Sequence, residues 1–256
     1  MWAQKISDAI VIPSDFGIGE FPTEWSEPLH YAEPGPPLKI ALIEKTQSAL
    51  HAIFSGVMIW AARRLGYVTD VTALEDIAVM LFCYQQDPDY VCQVHPPSIL
   101  ESSQAERYEG VALFLEHLIL YQLWKNDWRW PLLPHYNTVA QAITLIRYQM
   151  GPKQRSSFDS WITRIIERMN DLGPLPEHKG LMPRVAQEDR PARRQVVMGL
   201  PIPPQSLDLG MDMNGFDMSA AWHDFLTTVD FRNNRFLKPL EDVQLSSGER
   251  PYFDSR

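Results

Sequence analysis

The side chains able to do acid–base, nucleophilic or metal chemistry in this chain of 256 residues are few, and their spacing does not suit it. His117 follows Glu116, but a zinc protease needs two histidines one helical turn apart with the glutamate between them, and the second histidine is missing. His95 precedes Pro96-Pro97, and His30, His135 and His178 lie in proline-containing stretches that read as turns or surface. Cys83 and Cys92 belong to no CxxC or Cys/His ligand set, so neither a structural zinc site nor a disulfide framework is expected. Apolar neighbours place Cys83 in a core and Cys92 in a loop. No Gly-x-Ser-x-Gly occurs, and Gly17-Ile18-Gly19 does not stand between a strand and a helix, as a phosphate cradle must. The residues favour a non-catalytic protein with no cofactor and no metal. The enzymatic alternative is a cofactor-free site between helices, built from Glu116, His117 and a third polar group.

A more distinctive pattern lies near the C-terminus. Between Arg194 and Arg232 there is no Lys or Arg, yet Asp208, Asp212, Asp217, Asp224 and Asp230 alternate with Met211, Met213, Phe216, Met218, Trp222, Phe225 and Phe231. Asp217 is placed to cap a short helix carrying Met218, Ala221, Trp222, Phe225, Leu226 and Val229 on one face. Such a stripe either packs on the chain's own body or docks in a partner's groove. In the docking case Phe216, Met218, Trp222, Phe225 and Leu226 are the anchors, while Asp217 and Asp224 set solubility and encounter rate. The cluster Trp124-Lys125-Asn126-Asp127-Trp128-Arg129-Trp130 reads as a packed loop or a protein-contact surface, because stacking of nucleic-acid bases needs a basic setting.

The elements that must hold these residues are helices. Leu38, Leu42, Ala49, Ile53, Val57 and Trp60 recur at helical spacing through Leu65, with Gly66 as a left-handed stop. Thr72 and Glu75 have capping-box spacing ahead of Leu74, Ile77, Ala78 and Leu81, and Ser103 and Glu106 repeat it ahead of Val111, Phe114, Leu115, Leu118 and Ile119. Asn137 is an N-cap candidate for a helix through Met150, and a fifth helix runs from about Ser157 to Gly173-Pro174. The expected fold is all-α: an irregular bundle of about five helices with a Pro-rich arm and an extended tail. Its boundaries fall at 1–37 for the arm, 38–173 for the helical domain, 174–206 for a Pro-rich linker and 207–256 for the acidic-aromatic segment.

A net charge of −9 and a pI near 5.2 argue against direct nucleic-acid binding, which depends on neutralising phosphates with Lys and Arg. The most apolar stretch, from Ala49 to Ala62, is too short for a membrane span and is interrupted by His51. The N-terminus does not read as a secretory leader, so an intracellular setting, nucleus or cytoplasm, is expected.

The order of a helical middle, a Pro-rich linker and the tail MDMNGFDMSAAWHDFLTTVDFRNNRFLKPLED resembles the C-terminal regulatory region of fungal-specific transcription regulators of the zinc-cluster type. The resemblance covers residues 38 to 240 in layout. It implies a helical regulatory domain and an activating tail that contacts the transcription machinery. Six clustered cysteines read DNA in that family, and this chain has two cysteines in all, so no DNA-contact residue carries over. The expected function is a helical regulatory or protein-interaction protein whose tail recruits a protein partner. The alternatives are an immunity or adaptor protein that neutralises a basic toxin, and the cofactor-free enzyme. If the tail is held in reserve, replacing Trp222 and Phe225 with Ala abolishes recruitment and leaves the helical middle folded.

Overall fold

Small residues explain how one helix comes to lie inside all the others. The segment QSALHAIFSGVMIWAARRL carries Ser48, Ala49, Ala52, Ser55, Gly56, Ala61 and Ala62, which let neighbours approach on every side. The computed structural model describes Ile10 and residues 34–92, 95–97, 107–125, 135–175 and 195–243. Its helices are α1 (Pro36–Ile43), α2 (Gln47–Leu65), α3 (Thr72–Gln86), α4 (Arg107–Lys125), α5 (Tyr136–Tyr148), α6 (Pro152–Leu172) and α7 (Met218–Leu226), with a further helical turn at 195–198 and three 3-10 turns. The fold is all-α. Among the described residues there is no strand, only two isolated bridges, Lys45 with Pro174 and Val91 with Leu237.

In α2 every residue but Arg63 is buried, and α3, α4, α5, α6 and the 3-10 turn Pro204–Leu207 all touch it. Gly56 is where α6 comes closest. A Cβ there would lie 2.4 Å from the Trp161 ring, and Ile10 reaches the same spot. Trp60, Phe158 and Trp161 form an aromatic cluster around this contact, with ring centroids 5.4 to 6.3 Å apart.

The polar residues of α2 need partners because water does not reach them. The Ser55 hydroxyl donates to the Ala78 carbonyl at 3.1 Å, and Arg64 Nε donates to the Gln149 carbonyl at 2.8 Å. Gln47 is bonded to His51 within α2 and to the start of α5, as detailed below.

Several helix boundaries differ from the periodicity. The first expected helix, through Leu65, is broken at residues 44–46 because the end of α6 pins this stretch. Thr46 N–H donates to the Gly173 carbonyl at 2.9 Å, Leu175 N–H donates to the Glu44 carbonyl at 2.7 Å, and buried Lys45 donates to Asn170 Oδ1 at 2.5 Å. Thr46 then caps α2. Gly66 is right-handed, not left-handed, and its value is close packing: a Cβ there would meet the Ala62 carbonyl at 2.8 Å. Thr72 does not make a capping box, because its N–H and hydroxyl both bond to Asp70. The start signal at Ser103 and Glu106 lies outside the described residues. His135, not Asn137, is the N-cap of α5. Pro152 opens α6 instead of merely ending α5, since proline suits the first helical position.

A methyl group added at Gly56 must push the Trp161 indole off α2. Gly56→Ala is expected to cost about 1–3 kcal/mol, seen as a lower urea midpoint by circular dichroism. Adding Trp161→Phe, which removes the clashing ring atoms, recovers part of the loss.

Candidate functional site

The acidic-aromatic segment was the leading candidate, and its local structure begins as the sequence predicts. Asp217 caps α7, its carboxylate accepting from the Ala220 N–H at 2.9 Å, and Ala221, Trp222, Phe225 and Leu226 share the buried face.

That face covers the chain's own interior. Trp222 is 5% exposed, Phe225 0% and Leu226 2%, and all three belong to the same core cluster as α2 and α3. Phe82 of α3 meets Trp222 at 6.4 Å and Phe225 at 5.8 Å between ring centroids, and Trp222 Nε1 donates to the Pro201 carbonyl at 3.4 Å. Phe231 packs on Tyr90, and the Val91–Leu237 bridge is flanked by Cys92 N–H to the Phe236 carbonyl and Lys238 N–H to the Tyr90 carbonyl. The expectation that Trp222, Phe225 and Leu226 wait for a foreign groove is therefore corrected. A solvated aromatic stripe loses to the burial available on α3. Of the remaining named anchors, Phe216 and Met218 are half-buried, while Asp217 and Asp224 are exposed.

The stretch 195–206 is part of this strap and is not a bare spacer. Met198, Ile202 and Leu207 are in the core, and Ile202 N–H donates to Gln85 Oε1 at 2.9 Å. Gly199 has φ +69, and a Cβ there would lie 2.6 Å from the Thr46 side chain, so glycine is required twice over. One cation secures the next stretch. The Arg168 guanidinium donates to the carbonyls of Ser206, Asp208, Leu209 and Met211 at 2.5 to 3.3 Å. A planar fork with five N–H donors can gather several carbonyls in this way, and lysine cannot.

The aspartates also have local work. Asp208 accepts from Gly210 N–H, Asp212 from Asn214 N–H and Asp230 from Asn233, in short side-chain turns like the Asp217 cap. Aspartate is favoured at such positions because its short carboxylate reaches the backbone two or three residues on. Asp230 is held below the usual carboxylate range by the hydrogen bonds from Asn233. Asp212, Asp217, Asp224 and Asp230 are exposed, and none is in an ion pair among the described residues. Arg168 lies close enough to Asp212 for their charges to interact without forming such a pair.

Glu116 and His117 are turned to different partners. Glu116 pairs with Arg235 at 2.7 Å, and burial raises its pKa while Arg235 opposes the shift. His117 turns the other way, stacking with Phe114 and Tyr121 and donating from Nδ1 to the Pro97 carbonyl at 2.6 Å. Consecutive helical residues point about 100° apart, so the two cannot converge on one substrate atom. Cys83 is buried, which pushes its thiol pKa up, and Cys92 is half-buried. Among the described residues no group of three or more His, Cys, Asp or Glu is placed to hold a metal. No described helix is long and apolar enough to cross a membrane. His30, His178 and most of the Trp124–Trp130 cluster lie outside the described residues.

The sequence reading missed one polar cluster. His51, 1% exposed, has Nε2 2.6 Å from Gln47 Nε2, and His135 Nδ1 lies 3.3 Å from the same amide nitrogen. His135 is the half-buried cap of α5 and not the surface turn residue expected. The available signal was the Gln-x-x-x-His spacing within an otherwise apolar helix. No family model, curated protein or solved structure matches the chain.

Because Trp222 and Phe225 fill the body's own core, alanine at either position is expected to cost about 3–5 kcal/mol. The check is a denaturant curve followed by both far- and near-ultraviolet circular dichroism. Both signals should move together to a lower midpoint, instead of leaving the helical middle intact.

Proposed function

We propose that this is a non-catalytic helical interaction protein whose C-terminal strap presents an exposed acidic face to a basic protein partner. The supporting observation is the arrangement at 195–231, where no Lys or Arg occurs and Asp212, Asp217, Asp224 and Asp230 are exposed and outside any ion pair among the described residues. Charges on such a rim act over roughly the Debye length, about 8–10 Å at ordinary ionic strength, and speed encounter with a complementary surface. Half-buried Phe216 and Met218 lie beside Asp217 in the chain and supply an apolar contact. The stripe of Trp222, Phe225 and Leu226 holds the strap in place and is not itself offered.

This reading keeps the regulatory role expected from the sequence and moves the contact from the aromatic groups to the carboxylates. In its more specific form, drawn from the tail's resemblance, the partner belongs to the transcription machinery and the protein works in the nucleus. In its general form the partner is any basic protein of the nucleus or cytoplasm, an adaptor's or toxin's cationic face included.

Asparagine makes the same caps and side-chain turns as aspartate but has no charge. The variant carrying Asp→Asn at 212, 217 and 224, which leaves Asp230 and the bonds both its oxygens accept from Asn233, should therefore keep its unfolding midpoint. It should lose at least tenfold of the affinity for a basic partner captured by the wild-type protein at low salt. Equal binding by the variant, or no salt-sensitive partner for the wild type, overturns the reading. Reporter activation by residues 207–240 alone, abolished by Trp222→Ala, would return the contact to the aromatic stripe.

A further inference from the structure

The cluster at Gln47, His51 and His135 has a hydrogen-bond logic that only unprotonated histidines satisfy. His135 N–H, a donor, lies 2.8 Å from the Gln47 side chain, so the atom it meets is the amide oxygen. The amide nitrogen then faces both rings, and its two hydrogens point to His51 Nε2 and His135 Nδ1. Each ring must accept at that atom. His51 therefore carries its proton on Nδ1 and His135 on Nε2. One glutamine side chain thus holds two imidazoles and caps the first turn of α5, joining α5 to α2.

We infer that this cluster is an acid-sensitive latch: protonation of either ring sets donor against donor at Gln47 and releases the start of α5 from α2. The surroundings reinforce the effect. His51 meets Tyr84 of α3 edge-on, with ring centroids 5.2 Å apart, and His135 is the ionisable group at the start of α5 whose charge acts on it. Lys45, ahead of α2, is bonded to Asn170 of α6, and Arg64 at the far end of α2 is bonded to the Gln149 carbonyl. Among the described residues, neither these cations nor any carboxylate acts on His51. A cation at the cap of α5 also opposes the positive end of that helix.

Burial holds His51 well below its ordinary pKa and pushes His135 down to about 4. The unfolded rings titrate near 6.5, so below that pH the open or unfolded chain binds more protons than the closed one. Closure is thus unaffected at neutral pH and weakens as the pH falls from about 6.5 toward about 4.

Hydrogen exchange on the full chain, corrected for the intrinsic pH dependence, tests this. Protection of amides 139–142 in α5 should fall at least tenfold between pH 7 and pH 4.5, while that of α3 holds. Gln47→Glu, whose carboxylate accepts from imidazolium, should remove the fall. Unchanged α5 protection in the wild type, loss in α3 at the same pH, or the same acid response in Gln47→Glu overturns the latch. If that variant does not fold, nitrogen chemical shifts of the wild-type histidines decide: at pH 7 His51 must be protonated at Nδ1 and His135 at Nε2, and the opposite tautomers end the proposal.

Discussion

The constraint on which this molecule depends is the burial of α2 on all sides. A surface helix offers one stripe to its neighbours, but α2 leaves only Arg63 in water, so elements from both directions along the chain must converge on it. Helices α3 through α6 pack on it, and the turn at Pro204–Leu207 and Ile10 join them. Several of the polar groups this traps are bonded across element boundaries: Ser55 to α3, Arg64 to the end of α5, and Gln47, which also holds His51 within α2, to the start of α5. Each such bond replaces water that cannot enter, and so fixes how the helices sit as well as holding them together.

The C-terminal strap follows from the same constraint. Phe82 and Tyr90 sit on the α3 side of the body, and Trp222, Phe225 and Phe231 close over them. Arg168 gathers four carbonyls of a stretch that has no regular ladder of its own, meeting the backbone's need for donors where secondary structure does not. With its apolar face turned inward, the strap shows solvent a row of carboxylates that also shape its turns. Local conformation and outward charge thus come from the same residues.

Much of the architecture was legible in residue spacing. The all-α class, the apolar faces of α3, α5 and α6, the Asp217 cap and the buried face of α7 follow from periodicity and turn chemistry, which act over a few residues. Less legible were the breaks and caps. Thr46 interrupts a continuous apolar repeat because Gly173, 127 positions away, accepts its N–H and hydroxyl. His135 displaces Asn137 as a cap because Gln47 of another helix receives its N–H. No local pattern encodes a partner so far along the chain.

The sequence by itself determined that the chain is helical, that it is acidic, and that a short amphipathic helix follows the Asp217 cap, because these depend on composition and on neighbours three or four residues apart. Only the tertiary structure decided where that helix's apolar face goes. The periodicity that suits a partner's groove suits the chain's own α3 equally well, and the choice turns on whether an apolar surface of matching shape is already present in the same molecule. Phe82 provides that surface, so Trp222 and Phe225 lie inside while Asp224 between them remains in water.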